Sequence, residues 1–160
     1  MSEIMLSKEQ LEKLVGNVML GATVAQATGV SPAALEGLYA LGHDLYNSGN
    51  FKDAQVVFQA LSIYNSHDSR FWMGLAGCRQ ALEQYEAAID AYQLAAVADQ
   101  LKNPEPILYA VKCLLKLSRK ADAIAGLEAV LKLGDADDPR YLSVRSQAQA
   151  LLDLLKGDKA

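Results

Sequence analysis

Residues 41–61 read "LGHDLYNSGNFKDAQVVFQAL", and thirty-four residues later residues 75–95 read "LAGCRQALEQYEAAIDAYQLA". Leu41 is answered by Leu75, Phe51 by Tyr85, Ala54 by Ala88 and Phe58 by Tyr92. A third copy follows with one residue inserted near a turn, so that Cys78 maps to Cys113, Ala88 to Ala123, Tyr92 to Leu127 and Ala95 to Val130. Self-similarity at a fixed period marks an architecture of stacked units, each unable to bury its apolar face alone.

Each unit reads as two antiparallel helices. In the first, Leu38, Leu41, Gly42 and Leu45 share one helical face, and Gly42 has no side chain to hold a facing helix away. Ala54 does the same from the second helix, while Phe58 and Leu61, four and seven residues on, fill the seam. The intervening "NSGN" is turn chemistry, since Gly and Asn accept the backbone angles that end a helix. The second unit sets Trp72, Leu75 and Ala76 against Ala88, Tyr92 and Ala95; the third sets Ile107, Ala110, Val111 and Leu114 against Ala123, Leu127 and Val130. A helical hairpin repeating every 34 residues is the signature of the tetratricopeptide repeat. The expected fold is therefore all-α, with three such repeats over residues 35–136 stacked as an α-solenoid between flanking helices.

The flank at residues 1–34 carries an amphipathic helix and a connector. Ser7 and Gln10 stand at capping-box spacing, Leu6 and Leu11 at hydrophobic-staple spacing, and Leu11, Leu14, Val15, Val18 and Met19 form an apolar stripe that needs a cover. "GATVAQATGVSPAA", residues 21–34, reads as a compact connector in which Ser31 and Pro32 start the first repeat helix. In residues 137–160, Asp138 as N-cap and Pro139 at the first helical position precede Tyr141, Val144, Ala148, Leu151, Leu152 and Leu155 on one face, the expected capping helix of a solenoid.

Composition narrows the function classes. The chain has 160 residues, 51% of them hydrophobic and 21% charged, which suits one folded domain rather than a disordered segment. A formal net charge of -4 lacks the basic footprint of a nucleic-acid binder. No apolar run approaches the roughly 18 residues that suggest a membrane span, and "MSEIMLSKEQLEK" lacks the basic start and apolar centre of a signal peptide. A cytoplasmic protein without direct membrane binding is expected. Cys78 and Cys113 have no second Cys or His at metal-ligand spacing, so buried free thiols are expected, with no metal and no cofactor.

Enzyme chemistry is not expected either. His43 and Asp44 are neighbours on a helix and diverge by about 100 degrees, so they form no relay, and His67 falls in the turn "YNSHDSR". No nucleophile stands at a recognisable spacing from a base.

A stack of helical hairpins instead makes a curved surface, its concave side lined by the first helix of each hairpin. Register places Tyr39, His43 and Tyr46 there from the first repeat, Met73, Gly77 and Gln80 from the second, and Leu108, Lys112 and Leu115 from the third. Glu36, Arg70 and Glu105 fall at the rim. Tyrosines, a methionine and leucines on a face otherwise solvated suggest a receptor for an apolar peptide. On this register Tyr39→Ala and Tyr46→Ala should weaken binding and leave folding nearly intact. The tetratricopeptide groove that clamps a terminal carboxylate uses Lys and Asn at the first repeat's groove positions; Tyr39 and His43 stand there, which speaks against such a clamp.

With that register the chain resembles the tetratricopeptide-type chaperones of bacterial type III secretion systems that serve the pore-forming translocators. The features that carry the resemblance are the leading amphipathic helix, the "GAT" connector, the "LY" of the first repeat helix, the Phe58, Leu61 and Tyr64 spacing, and the "MGLA" at residues 73–76. The resemblance implies a bacterial cytoplasmic protein that holds hydrophobic translocators soluble and unassembled before secretion. It implies that an extended N-terminal segment of the translocator is seated in the groove at Tyr39, His43, Tyr46, Met73, Gly77 and Leu108. It also implies a homodimer formed through the stripe Leu11, Leu14, Val15, Val18 and Met19. A generic tetratricopeptide scaffold joining folded proteins is the alternative.

Overall fold

The computed structural model describes residues 7–157, and among them every regular element is helical. Helix α1 spans Lys8–Met19 and α2 Val24–Thr28; three hairpins follow as α3 Pro32–Asn47 with α4 Phe51–Tyr64, α5 Ser69–Ala81 with α6 Tyr85–Ala98, and α7 Glu105–Lys116 with α8 Lys120–Lys132. A single 3-10 turn, Pro139–Tyr141, leads into α9, Leu142–Gly157. Consecutive helices pack on each other from α3 to α9, and α7 also touches α9. This is the all-α solenoid with flanking helices.

Helix starts follow capping chemistry. The Ser7 hydroxyl accepts from the Gln10 amide while the Gln10 side chain accepts from Ser7 N–H, a closed capping box. Leu6, the proposed staple partner of Leu11, lies outside the described residues. Thr23 and Gln26 form a second capping box and start α2 inside the stretch read as a plain connector. Five residues are too few to show an apolar periodicity, which is why the pattern missed this helix. Asp138 caps the 3-10 turn, and α9 begins three residues later than the Asp-Pro signal suggested.

The repeat extends to the backbone of the turns. Gly49 takes a left-handed φ of 79°, and Glu83 and Ser118, its counterparts in the next two hairpins, take 59° and 57°. Each is bracketed by the same pair of bonds, Gly49 N–H to Tyr46 and Asn50 N–H to Leu45 recurring as Glu83 to Gln80 with Gln84 to Arg79, and as Ser118 to Leu115 with Arg119 to Leu114. The packing of the hairpin thus holds the turn where the sequence no longer offers glycine. The extra residue of the third unit is taken up between α6 and α7, where Gln100 and Leu101 are also left-handed.

The core runs through all three hairpins, from Leu35 and Phe58 through Phe71, Leu75 and Tyr92 to Val111, Leu127 and Leu152. Leu41, read as seam, is instead 47% exposed; the seam of α3 is closed by Gly42, Leu38 and Leu45. Cys78 and Cys113 are fully buried free thiols, and burial pushes both up to about 11 from an ordinary 9.0. Burial raises the Tyr92 hydroxyl in the same direction.

The unfolded chain ionises these thiols near 9.0 and the folded chain not until about 11, so their contribution to stability is whole below pH 9 and is lost as pH rises through that window. Denaturant midpoints should accordingly hold steady from pH 7 to 8.5 and fall between pH 9 and 11. At pH 8 a thiol-reactive dye should label neither cysteine until denaturant is added. Rapid labelling of the native protein would show that one of them is accessible.

Candidate functional site

The concave side holds a groove of about 480 Å³ floored and walled by Tyr39, His43 and Tyr46 of α3, Arg70, Met73, Gly74 and Gly77 of α5, and Glu105 and Tyr109 of α7. Two further rings enter from the outer helices: Phe58 of α4 and Tyr92 of α6, each nearly fully buried, with one face reaching the groove floor. They occupy equivalent positions in consecutive repeats.

Glycine makes this reach possible. A Cβ on Gly74 would sit 2.3 Å from the Phe58 ring, and one on Gly42 would sit 3.0 Å from it. Phe58 therefore passes between α3 and α5 only because both helices lack a side chain at the crossing. Farther along, Tyr46 lies over Gly77, where a Cβ would meet its ring at 3.5 Å.

The rings form a continuous apolar and aromatic floor. Tyr39 meets Phe58 edge-on at 6.0 Å, Phe71 at 5.8 Å and His43 at 4.8 Å, and its hydroxyl lies 2.9 Å from His43 Nε2. Tyr92 and Tyr109 stack at 5.5 Å, and the Tyr92 hydroxyl donates to Gln80 Oε1 at 2.7 Å. Tyr46, 37% exposed, leans on Phe51 at 5.1 Å and offers its free edge to solvent.

Arg70 and Glu105 bring charge to one rim, at equivalent positions of successive repeats. Arg70 lies over the Tyr39 ring at 4.8 Å and pairs with Glu36 at 2.6 Å and Asp68 at 2.7 Å, which raise its guanidinium above its usual range. All three are at least partly solvated, so the cluster orients Arg70 more than it stabilises the fold. In the next repeat Glu105 enters from the first turn of α7, and Lys112 sits 4.9 Å over Tyr109. Such a surface can desolvate apolar side chains of an extended segment against tyrosine rings, with charge available at its rim.

A family model described as a tetratricopeptide repeat matches residues 39–103. Low calcium response locus protein H of Yersinia pseudotuberculosis is 38% identical over 136 residues, covering 85% of this chain and 80% of that protein. The type III secretion chaperone SycD of Yersinia enterocolitica, solved with a peptide of the translocator YopD, aligns at TM-score 0.75 with 38% identity over 82% of this chain and 98% of that one. SycD has also been solved as an alternative dimer. PcrH bound to the chaperone-binding region of PopD aligns at TM-score 0.76 with 35% identity, over 82% of this chain and 98% of the other. The chain belongs to the type III secretion translocator chaperones.

Within this chaperone, the structure gathers most of the groove positions read from the register and displaces some. Tyr39, His43, Tyr46, Met73 and Gly77 line one cavity. Tyr39, however, is half-buried and belongs equally to the core beneath it. Gln80 turns to the Tyr92 hydroxyl and Lys112 to the face of Tyr109, so both support rings rather than line the floor.

Leu108 is a correction: it is 2% exposed and packs in the core, and Tyr109 beside it faces the groove. The reason is tertiary. Helix α3 packs against α4 and α5, but α7 packs against α6, α8 and α9, so a position half-open in the first repeat is covered in the third. Leu115 also packs against the core. Phe58, Gly74, Tyr92 and Tyr109, with Ser69 and Asn103, were the groove residues missed. For Phe58 and Tyr92 the signal was present, an aromatic ring at a fixed offset in two repeats, but it reads equally as hairpin seam.

Proposed function

We propose that this protein is a non-enzymatic chaperone of the bacterial cytoplasm that binds hydrophobic type III translocators by seating an extended N-terminal segment in the concave groove, keeping them soluble and unassembled until secretion. The observation that carries this is the aromatic floor of Tyr39, Tyr46, Phe58, Tyr92 and Tyr109 in a chain of this family. An extended, Pro-containing segment loses little entropy on docking, and its apolar side chains leave water against the rings. His43, Met73 and Gly77 complete the contact surface, and Gly77 keeps the floor low beside Tyr46. Among the described residues no helix is long and apolar enough to cross a membrane.

Co-expression with the translocators encoded in the same genome tests the proposal. A soluble complex with a translocator, recovered by affinity tag and sizing, is the expected result. Translocators that stay insoluble while folded partners are captured would replace it with the generic scaffold.

The same proposal includes a homodimer through α1. That helix buries none of its residues, and Leu11, Val15 and Val18 lie along one open face with Met19 beside them, while Leu14 is partly covered. Leu20, outside the stripe named from the sequence, is 88% exposed and extends the apolar surface. Val15→Asp should shift sedimentation from dimer to monomer with a change in melting temperature of no more than about 2 °C, since no core contact is touched. An unchanged dimer would place the interface elsewhere.

A further inference from the structure

We infer that Glu105 selects the bound segment, taking a lysine or arginine at the third-repeat end of the groove; this rests on the peptide-groove reading above. Arg70 and Glu105 stand at equivalent positions of successive repeats along one rim of the groove, and they differ. Arg70 is held by Glu36 and Asp68, so its charge is already answered. One repeat on, Glu105 lines the cavity; its backbone N–H donates to Asn103 Oδ1 at 2.9 Å, and among the described residues its carboxylate has no ion pair. The nearest base on its own helix, Lys112, sits over the Tyr109 ring.

Arg70 and Glu105 are the basic and acidic side chains that line the groove, and with Arg70 already paired, Glu105 is the one left without a partner ion among the described residues. An apolar segment laid along the tyrosines brings one of its residues to this carboxylate. A neutral residue there takes water from Glu105 and returns nothing, and an acidic one repels it. A basic residue completes an ion pair beside the Tyr92 and Tyr109 stack, where partial desolvation strengthens it. Glu105 therefore sets both which segments bind and which way round they lie.

The test uses the full chain and three short peptides, acetylated and amidated, built of Pro, Leu and Ala: one uncharged, one with a single lysine moved along the sequence, one with a single glutamate moved likewise. Titration by fluorescence polarisation at low and high salt should find one lysine position that tightens binding about fivefold over the uncharged peptide, with the gain shrinking in salt. Glu105→Gln should erase that gain, so that the lysine and uncharged peptides bind the variant alike. Glu105→Lys should move the preference to the glutamate peptides. If the uncharged peptide binds and no lysine position helps, or the gain survives Glu105→Gln, this inference is overturned and the groove reading stands. If none of the peptides binds, both are overturned.

Discussion

Phe58→Ala will cost this protein about 3–5 kcal/mol, enough to leave much of it unfolded at physiological temperature. The ring is 1% exposed and is wedged where α3, α4 and α5 meet, between the bare backbones of Gly42 and Gly74. Those glycines themselves offer no side chain to relax into the vacated space, so much of the cavity persists and its cost adds to the lost transfer energy of the ring. The loss also removes the support of Tyr39, which meets Phe58 at 6.0 Å, and of His43 at 6.1 Å. Folding and groove shape therefore fail together. Thermal melting with circular dichroism measures the first effect, and a drop of only a degree or two would show that the wedge is not holding the repeats together. Phe58→Leu, which keeps most of the volume, should recover a large part of the stability.

Tyr46→Ala should do the opposite: binding of the translocator segment falls by about tenfold or more while melting barely moves. Tyr46 is the most exposed of the groove tyrosines, resting on Phe51 and on the open backbone at Gly77, so removing it leaves no buried cavity. An aromatic ring that is half-open when free and covered when a partner docks is where an interface concentrates its energy. Tyr39→Ala is a poorer probe than the register suggested, because that ring also packs on Phe58 and Phe71 and its loss mixes binding with stability. The measurement is a titration of a translocator segment against wild type and Tyr46→Ala, beside their melting curves. Equal affinities would move the contact surface off the first repeat; a collapsed melt would make Tyr46 a core residue.

These two tyrosines show how far a register carries. Helical period put Tyr39 and Tyr46 on one face seven residues apart, and both do reach the groove. Period says nothing of what lies beneath a face, and Tyr39 happens to stand over two buried rings while Tyr46 stands over glycine.

The amino-acid sequence by itself determined the repeat, the hairpin helices and the capping of α1, because period, caps and turns are local and each is written in adjacent residues. It also placed most of the concave row in the first two repeats. Only the tertiary structure decided the rest. It turned Leu108 inward and Tyr109 outward, since α7 is covered by α9 as well as by its own hairpin. It brought Phe58 and Tyr92 through to the floor, since that depends on which glycines of neighbouring helices fall opposite them. Among the described residues, it left Glu105 without the acid-base pairing that Arg70 enjoys. Burial and charge pairing are sums over elements distant in sequence, and a pattern within one element does not contain them.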